Sequence, residues 1–130
     1  TNGCFDIIHP GHLHLLNKAK KLGDVLIVGI NDDNSIKKIK GSSRPINKLQ
    51  DRVNMLYNLK SVDLVIPFKE STPLNLIKAI SPDVLVKGGD YKKEEISGKN
   101  IVEKKGGKVV VIPFLKGFSS TEIINSIKGI

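Results

Sequence analysis

Tryptophan is absent from the 130-residue chain, and aromatic residues make up only 5%. Proteins that hold single-stranded nucleic acid stack bases on aromatic platforms, so this scarcity argues against that role. Cys4 is the single cysteine, which excludes an intramolecular disulfide framework and makes the cytoplasm the expected compartment. No apolar run reaches the roughly 18–20 residues of a membrane span. No signal peptide, internal repeat or low-complexity linker is evident, so residues 1–130 read as one domain. Because Thr1 lies inside an expected strand, the chain is expected to be a piece of a longer protein or to lack its first strand residues.

Acidic residues are also scarce, 13 against 21 Lys and Arg, for a net charge of +8. Such a balance suits a polyanionic ligand. The lysines are scattered, whereas a nucleic-acid binder prefers a dense basic stripe. Nucleoside triphosphates therefore fit better than nucleic acid, and neither nucleic acid nor membrane is an expected partner.

Short β-branched runs punctuate the chain at Val25–Ile30, Leu64–Pro67, Val84–Lys87 and Val109–Pro113, and Thr1–Cys4 reads as the end of another strand. Near-continuous apolar runs suit strands buried on both faces of a parallel sheet. Helical spacing appears over Pro10–Leu22, Leu49–Leu59, Thr72–Ile80 and Ser119–Ile127. Strands alternating with helices indicate a doubly wound α/β fold. The polar stretch Asn31–Asn47 reads as a long functional loop, a short helix within it left open, that is mobile without ligand and carries Lys38 and Lys40.

The chemistry concentrates in Thr1–His14. A strand ends near Cys4, and a helix begins near Pro10. Ligands of open α/β sheets bind at such strand-to-helix turns. The helix start offers free N–H groups and partial positive charge, and Gly11 permits close approach of a phosphate. His9 and His12, three residues apart, can both donate hydrogen bonds to phosphoryl oxygens. As metal ligands they lack a third partner at a suitable spacing, so no metal site is expected. His14 reads as an ordinary helix residue. Cys4 has no base arranged to activate it and reads as a packed residue rather than a nucleophile. Asp6 is expected to orient the turn by accepting backbone N–H groups. Lys87-Gly88-Gly89-Asp90-Tyr91 follows a buried strand, and its glycines allow a ligand near the backbone. Ser119, Ser120 and Thr121 open the last helix, where capping and phosphate binding can coexist. Arg44 can grip a phosphate bidentately. Arg52 either pairs with Asp51 or another carboxylate, or reaches substrate.

The run GCFDIIHPGH resembles the GxFDxxHxGH signature of the nucleotidyltransferase superfamily. The resemblance continues in NDDNSIKKIKG (Asn31–Gly41), SVDLVIP (Ser61–Pro67), KGGDY (Lys87–Tyr91) and SSTEI (Ser119–Ile123). RPIN at Arg44–Asn47 and PDVLVKGGDY at Pro82–Tyr91 make the chain similar to the heptose-1-phosphate adenylyltransferases. Two departures separate it from the cytidylyltransferase branch: Phe114 stands where that branch carries a phosphate-binding arginine, and Glu122 where it carries a lysine.

This resemblance implies a single Rossmann-like domain of about five parallel strands in the order 3-2-1-4-5. It implies transfer of AMP from ATP to a heptose 1-phosphate, giving ADP-heptose for lipopolysaccharide core synthesis. The alternative is a cytidylyltransferase acting on glycerol 3-phosphate or a similar alcohol phosphate. His9, His12, Lys38 and Lys40 would be catalytic. Asn2, Gly3, Cys4, Phe5, Gly11, Lys87, Gly88, Gly89, Asp90, Ser119, Ser120 and Thr121 would hold the nucleotide and its phosphates. Asp6, Arg44 and Arg52 would hold the sugar phosphate. Mg2+ would accompany the ATP. A homo-oligomer is left open, as is a heptose kinase, fused or separate.

Overall fold

A computed structural model describes all residues, 1–130. The elements run β1 (Asn2–Gly3), α1 (Pro10–Lys20), β2 (Ile27–Asn31), α2 (Asp33–Lys40), α3 (Leu49–Tyr57), β3 (Leu64–Phe68), α4 (Leu74–Ile80), β4 (Val84–Gly88), α5 (Lys99–Lys104), β5 (Lys108–Ile112) and α6 (Ser120–Lys128). A 3-10 turn, Lys93–Glu95, precedes α5. All strand pairs are parallel, as the apolar runs predict. No helix is long and apolar enough to cross a membrane.

The sheet differs from the expected single five-stranded order. It divides into β1-β2-β3 and β4-β5. Both halves keep the expected neighbours, but no ladder joins β1 to β4. β1 is only two residues long, Asn2 opposite Gly29 and Gly3 opposite Ile30, too short a strand to carry a second ladder on its other edge. Side chains make the join instead. Phe5, Leu16, Val28, Ile30 and Val65 share one buried cluster with Val86 of β4 and Ile112 of β5. A second cluster, Ile77, Leu85, Ile96, Val102 and Val109, fixes α4 and α5 on β4-β5.

Asn31–Asn47 contains the short helix that the sequence left open, so less of it is loop than expected. Asn31 belongs to β2, and Asp33–Lys40 is helical. Asp32 caps α2 by accepting the Ser35 N–H at 2.8 Å, and Ile36 is wholly buried. A single deeply buried apolar side chain seats this short helix, whose other positions are mostly polar. α5 gives little periodic signal for a similar reason, since only Val102 among its six residues is fully buried.

Between α2 and α3 the chain is gathered by two buried charges. Arg52, 1% exposed, donates from Nε to the Asn47 carbonyl at 3.0 Å and from Nη1 to the carbonyls of Cys4 and Asn31, both at 2.8 Å. Its Nη2 meets Asp33 Oδ1 at 2.7 Å. Asp6, 2% exposed, accepts the N–H groups of Ile46 at 2.7 Å and Asn47 at 2.9 Å. Hydrogen bonds from a charged donor each contribute roughly 1.5–3 kcal/mol, and orphaned buried acceptors add a desolvation penalty. Arg52→Met should therefore lower the unfolding free energy by about 3 kcal/mol or more. Urea denaturation checks this. A midpoint close to wild type would show that these bonds hold nothing together.

Candidate active site

β1 delivers the chain into a tight turn. Phe5 and Ile7 adopt left-handed backbone with φ of 50° and 56°, which is strained for side chains of their size. The Phe5 ring is buried against Gly3, where a Cβ would lie 3.0 Å from the ring. Burial of that ring and the anchoring of Asp6 hold the strained turn and aim the next residues at the start of α1.

His9 caps α1, and Pro10 occupies its first turn. His9 Nδ1 accepts the Gly11 N–H at 3.1 Å, while His12 Nδ1 accepts the His9 N–H at 3.1 Å. Each imidazole thus uses Nδ1 as an acceptor, which leaves the proton on Nε2. The ring centroids stand 3.8 Å apart. Burial, the neighbouring His9 and the charge of Lys40 push His12 down to about pKa 4. Burial also lowers His9. Near neutral pH the pair is two uncharged rings, each with one Nε2–H to donate. No acidic residue occupies the first turn of α1, so its positive end is unopposed.

The start of α6 meets this turn. Ser120 Oγ donates to the carbonyls of Asp6 at 2.6 Å and Ile7 at 3.1 Å. Ser119 Oγ caps the helix by accepting the Glu122 N–H at 3.4 Å. Arg44, 8% exposed, approaches Asp6 Oδ2 at 3.5 Å and directs Nη1 at Thr121 Oγ1, also 3.5 Å. Its buried Nε has no hydrogen-bond partner.

These groups open onto one cavity of about 830 Å3. Asn2, Gly3, Cys4, Phe5, Asp6, His9, Gly11 and His12 line it from β1 and α1. Lys40 and Arg44 face it from one flank, Lys87 and Gly88 from β4, and Ser119, Ser120 and Thr121 from α6. Burial lowers the Lys87 ammonium pKa, as expected for a charge short of water. Burial is also the main influence raising the Cys4 thiol, which rests 3.9 Å from Asn31 Oδ1 and is held as a thiol rather than a nucleophilic thiolate.

Four expected site residues lie elsewhere. Lys38 does not line the cavity. Two residues apart on a helix means about 200° of rotation, so Lys38 and Lys40 cannot share a face. Arg52 resolves in favour of another carboxylate, Asp33, and is sealed beneath the floor. Asp90 is exposed outside the cavity. Gly89 does not line the cavity and serves the fold instead. Its φ is +121°, and a Cβ there would lie 2.8 Å from the Phe114 ring. Asp6 does accept backbone N–H groups, but those of the 46–47 segment rather than of the histidine turn.

Sequence reasoning missed several lining residues. Asn31 and His14 both reach the cavity. Phe118 stacks near His9, with centroids 6.2 Å apart and planes at 17°. His14 carried a usable signal, its place on the same short helix as the pair. Phe118 lies in a loop whose path no local pattern discloses.

No group of three His, Cys, Asp or Glu side chains is arranged to hold a metal ion. The cavity's carboxylates are Asp6, Glu95 and Glu122, and both oxygens of Asp6 are already engaged. The residues therefore offer no carboxylate cage of the sort a resident divalent cation needs.

Residues 1–126 match the family model described as Cytidylyltransferase-like. The chain belongs to the cytidylyltransferase-like family. It is a nucleotidyltransferase. Over 128 residues, 98% of its length, it is 58% identical to the bifunctional protein HldE of Helicobacter hepaticus and 56% identical to that of Haemophilus influenzae. It spans about a quarter of those relatives, 26% and 27% respectively. A solved structure of the lipopolysaccharide core biosynthesis protein from Thermoplasma volcanium superimposes with a TM-score of 0.70 at 32% identity, covering 90% of this chain and 94% of that one.

The low pKa of His12 couples the stability of this nucleotidyltransferase to pH. An unfolded histidine takes up a proton near pH 6.5, whereas folded His12 resists until about pH 4. Its contribution to stability is complete above pH 6.5 and is lost as pH falls toward 4. Urea midpoints between pH 7.5 and 4.5 should therefore decline less in His12→Ala than in wild type. Equal declines would contradict the lowered value.

Proposed function

We propose that the chain transfers AMP from ATP to a heptose 1-phosphate, releasing pyrophosphate and forming ADP-heptose for lipopolysaccharide core synthesis. The observation that carries this reading is the neutral His9–His12 pair, set at the positive end of α1 and facing the cavity into which α6 also points. Phosphoryl transfer demands little covalent chemistry of a protein, mainly positioning and stabilisation of spreading charge. A phosphate oxygen of the sugar attacks the α-phosphorus in line, the bond to the β-phosphate oxygen breaks, and pyrophosphate departs with the electron pair. No enzyme-bound intermediate is needed.

The Nε2–H groups of His9 and His12 donate to phosphoryl oxygens as charge builds on them. Lys40 and Arg44 supply full charges on one flank, and Lys87 does so on the other. Ser119–Thr121 present the α6 start to the terminal phosphates, where its free N–H groups suit anions. A preorganised donor of this kind is worth roughly 10²–10³ in turnover. Magnesium enters with the nucleotide as part of the substrate, held by phosphate oxygens and water.

Several facts support adenine and heptose. RPIN and PDVLVKGGDY follow the pattern of the heptose-1-phosphate adenylyltransferases, and Phe114 replaces the arginine of the cytidylyltransferase branch. The solved relative is a lipopolysaccharide core biosynthesis protein. The longer relatives are bifunctional, and a sugar kinase, fused or separate, is the class of enzyme that supplies a sugar 1-phosphate. A reaction that consumes ATP fits the cytoplasm.

Discrimination of bases rests on groups left unpaired by the wrong one, roughly 1–3 kcal/mol each. With one heptose 1-phosphate as acceptor, kcat/KM for ATP should exceed that for CTP by at least about tenfold. Formation of product should also depend on His12. Equal values, or preference for CTP, would replace this reading with the cytidylyltransferase alternative.

A further inference from the structure

The chain has two arginines, Arg44 and Arg52, and both are buried. Arg52 is saturated, since every nitrogen of its guanidinium donates within the protein. Arg44 is not. Its Nε is buried without a hydrogen-bond partner, and Nη1 reaches only Thr121 Oγ1, at the long distance of 3.5 Å. Asp6 lies beside it, with Oδ2 3.5 Å from Nε. Both Asp6 oxygens, however, already accept the N–H groups of Ile46 and Asn47 at 2.7 and 2.9 Å. The pairing offsets charge without filling the arginine's donors. A buried guanidinium with unfilled donors is costly, and a ligand that brings acceptors offsets that cost.

Geometry decides which ligand group it meets. Arg44 lines the cavity from the segment between α2 and α3, and its contact with Thr121 aims it at the start of α6. Its reach is fixed, because Ile46 and Asn47 just behind it are pinned to Asp6. At the start of α6 the N–H groups of Ser120 and Thr121 have no acceptor, while the next two N–H groups, of Glu122 and Ile123, return to Ser119. Glu122 sits in the first turn and opposes the positive end of the helix, so the helix alone is a poor anion site. The full charge of Arg44 corrects this. A planar fork and two backbone N–H groups together match a phosphate with several free oxygens. The histidine pair at α1 serves the phosphorus under attack, which leaves the α6 start for the phosphates beyond it.

We propose that Arg44 reads the length of the phosphate chain: it grips the terminal phosphates of the triphosphate at the α6 start and stays on the pyrophosphate as it leaves. The inference rests on the reading of the cavity as a nucleoside triphosphate site and holds whichever base and sugar are used. Arg44 thereby moves from the sugar phosphate, where the sequence placed it, to the leaving group. On binding, phosphate oxygens take the place of the long contact with Thr121 and fill the empty Nε donor.

The first arm of the test is titration calorimetry of the intact protein with ATP and with AMP, in wild type, Arg44→Gln and Arg44→Lys. ATP affinity should fall about tenfold or more in Arg44→Gln and by less in Arg44→Lys, with AMP affinity within about twofold of wild type in both. Retained AMP binding also shows that the variants fold. Equal losses for ATP and AMP, or no loss for ATP, would overturn the proposal. So would a raised KM for heptose 1-phosphate with KM for ATP unmoved. The second arm uses the wild type alone. Of the two arginine Nε–H resonances, that of Arg44 is distinguished from the fully bonded Arg52 by faster hydrogen exchange. It should shift on addition of inorganic pyrophosphate and stay in place with AMP. No movement at pyrophosphate concentrations that saturate the α6 amide shifts would overturn the proposal. The same split with CTP and CMP in place of ATP and AMP would support the role of Arg44 while replacing the adenylyltransferase reading.

Discussion

The buried guanidinium of Arg52 is the constraint on which the site depends. It is held by carbonyls from the ends of two adjacent strands, Cys4 after β1 and Asn31 of β2, and by the Asn47 carbonyl of the segment that follows α2. Strand ends in a parallel sheet present carbonyls with no ladder partner, and a buried carbonyl without a partner is costly. One planar cation satisfies two such strand-end carbonyls and that of Asn47, and the Asp33 carboxylate balances its charge. A lysine could not replace it, since three donors on a flexible stem do not match four directions fixed in a plane.

From that anchor the rest of the site follows outward. With the 46–47 segment held, its N–H groups bind Asp6, and the carbonyls of Asp6 and Ile7 in turn receive Ser120. The strained turn at Phe5 and Ile7 is thus held from below and from α6. That rigidity places His9 as the cap of α1 and lets it exchange hydrogen bonds with the first turn of the helix. The exchange is structural and chemical at once. It satisfies backbone donors at a helix start, which any cap must do. It also fixes the proton of each ring on the nitrogen left free for phosphate. Neutral rings suit this chemistry, because fixed dipoles stabilise developing charge without reorganising.

Much of this is legible in the sequence, and for identifiable reasons. The strands are visible because doubly buried strands read as unbroken Val, Ile and Leu. The histidine turn is visible because Pro10, Gly11 and two histidines compress cap, close approach and donors into four residues. The features that stay hidden depend on partners distant in sequence. Arg52 looks the same on paper whether it faces a substrate or the Cys4 carbonyl 48 residues away. α2 reads as no more than a helix left open within a loop because Ile36 is its one buried apolar residue, which makes a weak periodic signal. Lys38 and Lys40 look like a pair only while that segment is treated as irregular chain. The break between β1 and β4 is hidden because strand order is readable from alternation of elements, whereas ladder hydrogen bonds depend on strand length and spacing.

The central claim is that burial keeps the His9 and His12 imidazoles neutral while the backbone N–H groups of the turn fix their proton on Nε2. Long-range nitrogen–proton correlation spectra of the free protein at pH 7, with the rings assigned through His9→Gln and His12→Gln, test it most directly. The expected spectra show both rings neutral and protonated at Nε2. A ring protonated at Nδ1, or an imidazolium at either position, would contradict the account.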